Sequence, residues 1–314
     1  MQYRYCHSLK KNISEISLGT WGLDKYMWGK SDEKEVYKTF EAARTLGINF
    51  IDTAQAYKGV ERLIGSIIKE LNWYDVIIAT KIPPKIYFNN SVKASQAYPA
   101  EYIISQTEKS LISLGLEQIP LLQLHTWNSE WFGEKEWIYT LLDLKKEGKI
   151  GAIGLSLVDH MASSGIEIIK SGSIDFIQVM YNLFDQSAKD KLLDVCFKNS
   201  VSVIARSVLY EGFFSGKMDL NYQFNDDDWR KKYFKGTYFE TCLERLEVIY
   251  SDGISPNKIA SYAISFALSH PSITTAVLGM RSVKHVWENV RVSDSILLSP
   301  MELKKIRKYH WLTV

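Results

Sequence analysis

The sequence predicts an α/β fold, a (β/α)8 TIM barrel that forms one domain over residues 1–314. Two observations indicate it: short, apolar, β-branched runs recur along most of the chain, and segments of helical period separate them. A third argues against the alternative, an open dinucleotide-binding sheet, because no glycine-rich turn follows the first run. The nearest glycine triplet, Gly148, Gly151 and Gly154, leads instead into the fifth run. Eight units within roughly 260 residues favour the barrel.

The N-terminal residues precede the first strand–helix unit. Tyr3–Cys6 and Ile13–Ile16 flank Lys10–Asn12 and predict a β-hairpin that covers the floor of the barrel. The barrel strands are then predicted at Glu15–Gly19, Ile48–Asp52, Val76–Lys81, Ile119–His125, Ile150–Ser156, Asp175–Tyr181, Val201–Ser207 and Ser272–Gly279. Each run is short and nearly continuous in apolar residues, which is typical of a strand buried on both faces.

Segments between the strands have the period of an amphipathic helix. The apolar stripes are predicted to be Val36, Phe40, Ala43 and Leu46 in Glu33–Leu46, Ile104, Leu111 and Leu114 in Glu101–Leu114, and Ile138, Leu141 and Leu142 in Glu134–Lys146. Residues at this spacing share one face of a helix, so we expect these faces to pack against the barrel.

Three connections are longer than a typical loop: Ile82–Ala100, Thr126–Gly133 and Val208–Tyr238. All follow the C-terminal end of a strand, the face on which barrel enzymes build their active sites. Aromatic side chains are frequent in them, namely Tyr87, Phe88, Trp127, Trp131, Phe213, Phe214, Trp229 and Tyr233. Any one could simply anchor its loop, but together they predict an aromatic wall at the barrel mouth that suits a flat organic or sugar-like substrate.

Composition narrows the classes of partner. The chain has 38 Lys and Arg against 36 Asp and Glu, a net charge of +2, which provides no field for nonspecific binding of nucleic acid or an anionic membrane. No apolar run approaches the roughly 20 residues of a membrane span, and the N-terminal residues lack an apolar signal segment. The three cysteines lie far apart, and the histidines lack zinc-ligand spacing. We expect a cytoplasmic protein without a metal site.

Ionisable residues stand at the ends of three consecutive predicted strands. Asp52 ends the second, Lys81 the third and His125 the fourth, and Tyr57 follows Asp52 by five residues. Each alone has an ordinary structural explanation, such as a turn cap, a solvated charge or a core histidine. Because neighbouring parallel strands end at the same face, we expect the four to meet in one corner of the mouth.

Their chemistry suits proton transfer to a carbonyl oxygen. A free tyrosine has a pKa near ~10, and a nearby ammonium lowers such a pKa by roughly 1–3 units. The sequence therefore predicts Tyr57 as acid, Lys81 as the cation that lowers its pKa, Asp52 as the partner of Lys81, and His125 as a hydrogen-bond partner of the substrate. Such a device needs a separate source of hydride.

Along almost its whole length the sequence resembles the aldo-keto reductase family. The segments that carry the resemblance are Gly19–Gly22, Asn49–Tyr57 with Glu61 and Gly65, Lys81, Leu122–His125, Gly154–Ser156, Gln178 with Tyr181 and Asn182, and Gly279–Ser282 through Glu288 and Asn289. The resemblance implies NAD(P)H-dependent reduction of a small-molecule carbonyl substrate, with Tyr57 as proton donor.

The resemblance also implies where the cofactor binds. The cofactor-binding residues it implies are Gly19, Thr20, Asp52, Ser156, Gln178, Arg206, Ser207, Gly212, Gly279, Arg281, Ser282, Glu288 and Asn289. Trp21 and Trp127 are expected in the substrate pocket. A guanidinium suits a phosphate dianion, so Arg281 favours NADP(H), with NAD(H) as the alternative.

Two positions depart from the family pattern. Leu157 stands where an asparagine commonly binds the nicotinamide carboxamide, and Arg206 stands where an aromatic side chain commonly stacks on the nicotinamide ring. A guanidinium also stacks on rings, but its charge repels the oxidised, cationic form. We therefore expect an enzyme that works as a reductase.

Two other functions stay open from the residues alone. Lys81 could form a Schiff base, as in aldolase-type barrels, although this leaves Tyr57 and Arg281 unexplained. The chain could also be a cofactor-binding regulatory subunit of the same fold. For the substrate, the long aromatic loops favour a sugar or a nucleotide-linked keto-sugar over a simple aldehyde.

Overall fold

In the part of the chain that the structure describes, eight parallel strands close into a barrel. The computed structural model describes residues 1–86, 92–295 and 297–311. Its strands are β1 Tyr3–Cys6, β2 Lys11–Ser14, β3 Ile16–Gly19, β4 Phe50–Asp52, β5 Ile77–Ile82, β6 Ile119–Trp127, β7 Ile150–Leu157, β8 Phe176–Met180, β9 Ser202–Arg206 and β10 Ile273–Gly279. Strands β3 to β10 pair in chain order and in parallel, and β10 closes the ring on β3. The predicted eight-stranded barrel is confirmed.

Helices lie between the strands as crossovers. In the described residues they are α1 Lys25–Trp28, α2 Glu33–Thr45, α3 Val60–Leu71, α4 Ala94–Ala97, α5 Ala100–Leu114, α6 Glu136–Lys146, α7 Ile166–Lys170, α8 Leu192–Lys198, α9 Arg230–Tyr233, α10 Thr237–Ser251, α11 Ile259–Leu268, α12 Val283–Ser293 and α13 Pro300–Ile306. The helix α2 begins where the Asp32 carboxylate accepts a hydrogen bond from the amide of Glu35. None of the described helices is long and apolar enough to cross a membrane.

The predicted apolar stripes are right in part. Val36, Phe40 and Ala43 of α2 are buried. Two positions were wrong, because Ile104 of α5 and Leu142 of α6 are exposed. In α5 the predicted Leu111 and Leu114 are buried, and the rest of the buried face is formed by Ile103 with polar Thr107 and Ser110, which a search for apolar residues alone does not find.

The hairpin β1–β2 covers the floor of the barrel, as predicted, although its second strand begins and ends two residues earlier than expected. Cys6 and Ile13 of the hairpin pack with inward-facing strand residues in a separate interior cluster. Its strand members are Phe50, Ile77, Ala79, Leu121, Ala152, Phe176 and Ile204. Alternate residues of a strand share a face, so the residues two positions above this layer also point inward, into the mouth of the barrel.

Two long loops meet above the mouth. Trp28, at the end of α1, forms an isolated antiparallel bridge with Asp228, and the amide of Trp229 donates to the carbonyl of Met27 at 2.9 Å. The loop after β9 also contains Tyr210 and Glu211 at positive φ. Such backbone is costly for residues other than glycine and concentrates at functional sites.

Candidate active site

The Asp52–Lys81 pair lies at the centre of the mouth. Asp52 is two residues above Phe50 of the interior layer, and Lys81 is two above Ala79, so both point inward. The Lys81 Nζ donates to both Asp52 carboxylate oxygens and to the Thr53 carbonyl, each at 2.8 Å. The side chains of Lys81 and Asp52 are only 1% and 6% exposed. The pair is therefore a buried ion pair whose ammonium donors are all used.

Two further residues hold Asp52 in place. Gln178, in the middle of β8, donates from its amide nitrogen to Oδ1 of Asp52 at 2.7 Å. The Thr20 hydroxyl donates to the backbone carbonyl of Asp52 at 2.9 Å. Both side chains come from predicted cofactor positions, and here they fix the orientation of the carboxylate.

Tyr57 and His125 complete the cluster. Their ring centroids lie 6.1 Å apart, nearly at right angles, and the Lys81 Nζ lies 5.5 Å from the centroid of the Tyr57 ring. The structure thus brings together the four residues that the sequence predicts at one corner of the mouth. It also fits a separate hydride donor better than a Schiff base, since a carboxylate-bound ammonium with every N–H engaged is a poor nucleophile.

Burial and nearby charges both shift the pKa of Tyr57. Burial raises the pKa of its phenol above 10, and the Asp52 carboxylate raises it further. The Arg206 cation acts in the opposite direction and lowers this pKa. Lys81 lies 5.5 Å from the centroid of the Tyr57 ring, and its effect on the Tyr57 pKa stays a prediction.

His125 is a neutral imidazole over most of the pH range. Burial lowers its pKa to about 3, and the charges of Lys81 and Arg206 contribute in the same direction. A neutral imidazole carries one N–H donor and one acceptor nitrogen, so it can hold a carbonyl oxygen by a hydrogen bond.

A second ion pair lies at the rim of the mouth. Arg206 is two residues above Ile204 of the interior layer, at the end of β9. Its Nη2 donates to the Leu157 carbonyl at the end of β7, at 2.8 Å, and to the Asp159 carboxylate. The Arg206 side chain therefore crosses the end of β8. Burial alone lowers the pKa of Arg206, but Asp159 outweighs it and raises the pKa.

The other predicted cofactor positions lie along a path from the mouth to α12. Ser156 is buried at the end of β7, and the Ser207 hydroxyl donates to the Glu211 carboxylate at 2.6 Å. Ser282 caps α12 by accepting from the amide of His285, and Asn289 is buried on the same helix. Gly19 and Gly279 face each other across the β3–β10 pair, Gly212 adopts positive φ, and Glu288 pairs with Lys284.

The structure offers a test of whether a nicotinamide dinucleotide fits this path. Nη2 of Arg281 donates to the Ser31 hydroxyl at 3.2 Å, and no ion pair forms on Arg281 among the described residues. A cation without a carboxylate partner beside a helix N-terminus suits a phosphate. The residues present are therefore compatible with a nicotinamide dinucleotide, and Arg281 is the residue that would meet a phosphate of it.

The aromatic wall differs from the prediction in its members. Trp21 stacks on Tyr57 with centroids 6.2 Å apart, and it packs with Trp28 and Trp229 at 5.4 and 4.7 Å. Trp127 is buried, with its indole nitrogen donating to the Ser164 carbonyl, and its place in the substrate pocket stays a prediction. Trp131, Phe213 and Phe214 are also buried and anchor their loops, and Tyr87 and Phe88 lie outside the described residues.

Three residues of the mouth were missed by the sequence reasoning. Asp159 lies in the loop after β7 and becomes visible only through its contact with Arg206. Trp28 joins Trp21 because two loops meet. Gln123 lies between Leu121 and His125 on the inward face of β6, and neither of its amide atoms has a hydrogen-bond partner among the described residues. The alternation along β6 could have identified Gln123.

A closed parallel barrel with a tyrosine, a histidine and a buried aspartate–lysine pair together at its mouth is typical of the barrel oxidoreductases that use a nicotinamide cofactor. In the described part of the chain, no group of three or more histidine, cysteine or acidic side chains is placed to hold a metal ion.

Comparison with known proteins identifies the family. The model of the Aldo/keto reductase family matches residues 15–310. The chain is 30% identical over 290 residues to the aldo-keto reductase YhdN of Bacillus subtilis (strain 168), covering 90% of this chain and 85% of the relative. It is 29% identical over 293 residues to the NADH-specific methylglyoxal reductase of Escherichia coli (strain K12), covering 88% and 89%. The chain therefore belongs to the aldo/keto reductase family and is an NAD(P)H-dependent oxidoreductase acting on carbonyls.

A solved structure shares the fold. The aldo-keto reductase AKR11C1 from Bacillus halodurans, in its holo form, superposes with a TM-score of 0.76 at 23% identity, covering 98% of this chain and 96% of that one. At this identity the likeness concerns the fold, and the choice between NADP and NAD rests on this chain's own residues.

Proposed function

We propose that this enzyme uses NADPH to reduce an aldehyde or ketone to an alcohol, with Tyr57 as the proton donor. The observation that carries the proposal is the meeting of Tyr57 and His125, 6.1 Å apart between ring centroids, above the buried Asp52–Lys81 pair. A carbonyl oxygen between the two rings has two hydrogen-bond donors within reach.

Each residue then has a distinct task. The reduced cofactor, when bound, supplies the hydride for the carbonyl carbon. The Tyr57 hydroxyl gives its proton to the carbonyl oxygen and is reprotonated from solvent. The neutral His125 holds that oxygen by an N–H bond and fixes the position of the carbonyl. Lys81 supplies positive charge 5.5 Å from the Tyr57 ring, and Asp52 keeps that ammonium charged and oriented.

The substrate class proposed is a sugar or a nucleotide-linked keto-sugar. Trp21, Trp28 and Trp229 form one aromatic face beside Tyr57. The indole nitrogens of Trp28 and Trp229 are buried and have no hydrogen-bond partner among the described residues. Flat apolar faces with nearby N–H donors suit a pyranose ring, which presents C–H groups on its faces and hydroxyls at its edges.

The proposed proton donor is tested by Tyr57→Phe. We expect the turnover number to fall by several orders of magnitude, since the hydroxyl acts in the transition state, while cofactor affinity barely changes. Steady-state kinetics with a panel of sugars and aldehydes, followed by NADPH absorbance, measures the first, and fluorescence titration measures the second. Tyr74→Phe, at an exposed tyrosine, is the matched control. An unchanged turnover number would rule out the role, and turnover of no carbonyl by the wild type would favour a regulatory subunit.

The proposed preference for NADPH is tested by Arg281→Ala. A charged hydrogen bond contributes roughly 1.5–3 kcal/mol, so NADPH should bind about ten- to a hundred-fold more weakly while NADH is little affected. Fluorescence titration of both cofactors measures this, with Arg291→Ala on the exposed face of α12 as control. Equal losses for NADPH and NADH would show that Arg281 does not contact the adenosine phosphate.

A further inference from the structure

Arg206 at the rim of the mouth is not an isolated cation, because it forms an ion pair with Asp159, here called the rim pair. The Arg206 guanidinium is held from one side by the Leu157 carbonyl at 2.8 Å and by the Asp159 carboxylate, while no hydrogen bond forms on its Nε and Nη1 within the described chain. Glu211 lies nearby, but its carboxylate accepts from Ser207, and burial raises its pKa. Asp159 is therefore the carboxylate that contacts Arg206 directly and pairs with its charge, while Glu211 acts on it only through space.

The position of this pair relates it to the hydride donor. Tyr57, Lys81 and His125 come from β4, β5 and β6 and their loops, on one side of the mouth. Arg206 extends from β9 to β7 across the end of β8, on the opposite side. A carbonyl bound between Tyr57 and His125 must receive hydride from that opposite side. A nicotinamide ring placed there lies against the Arg206 guanidinium.

We propose that Asp159 is a positioning residue that keeps the Arg206 surface of the nicotinamide site electrically neutral and so permits release and rebinding of both the oxidised and the reduced cofactor. The inference rests on the proposed function. A bare guanidinium against the ring would repel the cationic oxidised nicotinamide and leave the neutral reduced ring unaffected. With Asp159 paired to it, the guanidinium keeps its planar surface, and most of this discrimination is removed.

The test is Asp159→Asn, which keeps the size of the side chain and an acceptor oxygen for Arg206 but removes the negative charge. Calorimetric titration of NADPH and NADP⁺ should show the ratio of their dissociation constants shifting roughly three- to tenfold in favour of the reduced form. In the double variant Asp159→Asn with Arg206→Gln, the ratio should return towards the wild-type value, because no charge is left to unmask. Asp190→Asn, which breaks the surface pair with Arg307, is the matched control and should leave the ratio unchanged.

The outcomes separate the inference from the proposed function. If wild type binds both cofactors but Asp159→Asn weakens both equally or changes neither, the inference is wrong and the proposed reduction stands. If the ratio shifts in the single variant and stays shifted in the double variant, the effect does not act through Arg206, and the inference is again wrong. If the wild type binds no nicotinamide dinucleotide, both the proposed function and the inference are overturned.

Discussion

Two ion pairs face the same barrel mouth, and they differ in burial and in how many of their donors form hydrogen bonds. The side chains of the inner pair, Asp52 and Lys81, are 6% and 1% exposed. Lys81 donates to Asp52 and to the Thr53 carbonyl, and Gln178 donates to Asp52. The rim pair, Arg206–Asp159, is 23% and 46% exposed and keeps part of the guanidinium unbonded. Burial makes the removal of one inner partner costly, whereas water replaces much of what a rim partner provides.

The difference in burial suits the two cations, Lys81 and Arg206, to different tasks. The inner charge is fixed in orientation and cannot change without loss of the mouth's structure. The net charge at the rim can be changed by one substitution, because the carboxylate that pairs with Arg206 comes from a single loop residue, Asp159. If the proposed function holds, cofactor preference can be altered at the rim while the proton-transfer cluster stays constant.

The largest expected effect breaks the inner pair. Lys81→Met leaves the Asp52 carboxylate buried without its cation, so the free energy of unfolding should fall by about 3–5 kcal/mol, and activity should be lost. Arg206→Met is the matched control at the rim and should cost no more than about 1 kcal/mol. Urea titration followed by circular dichroism measures both. Equal losses would mean that the two pairs do not differ as described.

The next effect concerns pH and the imidazole between the two pairs. The folded-state pKa of His125 is lowered to about 3, against about 6.5 when unfolded. Between these values the unfolded chain binds the extra proton, so stability falls as pH decreases, by at most about 1.4 kcal/mol per pH unit. In His125→Gln this contribution should vanish, which urea titrations between pH 4 and 7 would measure. An identical pH slope in both proteins would show that His125 is not buried as a neutral ring.

A smaller effect is expected from replacing the rim cation by a ring. Arg206→Tyr removes the positive charge, leaves Asp159 beside the site and restores an aromatic surface, so NADP⁺ should gain affinity relative to NADPH. Stacking and charge effects here are of order 1 kcal/mol, so the ratio of dissociation constants should change only several-fold. Calorimetric titration of both forms decides. An unchanged ratio, or one that favours NADPH, would place Arg206 away from the ring.

The smallest effect is the salt dependence of the rim pair. At 1 M salt the screening length is about 3 Å, so the effect of Asp159→Asn on the cofactor ratio should shrink towards nothing. The stability lost in Lys81→Met should persist at the same salt concentration, because burial shields the inner pair from ions. Repeating the titrations at 0.1 and 1 M salt tests this, and a salt-independent rim effect would indicate a direct contact rather than a field.

The predicted and observed features of the mouth differ in a consistent way. Asp52, Lys81 and His125 were predictable because each is an ionisable residue near the C-terminal end of an otherwise apolar strand, in register with inward-facing Phe50, Ala79 and Leu121. Trp127 ends strand β6 and is buried, and its indole nitrogen bonds to the Ser164 carbonyl, a contact with a residue distant in sequence that no local pattern indicates. Trp28 was not predicted, because its contact with Trp229 requires two loops distant in sequence to meet.

The sequence by itself determined the eight-stranded barrel, the hairpin beneath it and the four residues of the proton-transfer cluster. These follow from local periodicity and from the rule that parallel strands end at one face. Only the tertiary structure decided that the Lys81 ammonium donates all its hydrogen bonds to Asp52 and Thr53, and that Arg206 pairs with Asp159. Charge compensation depends on distances of a few ångströms between side chains from separate loops, and no pattern along the chain encodes those distances.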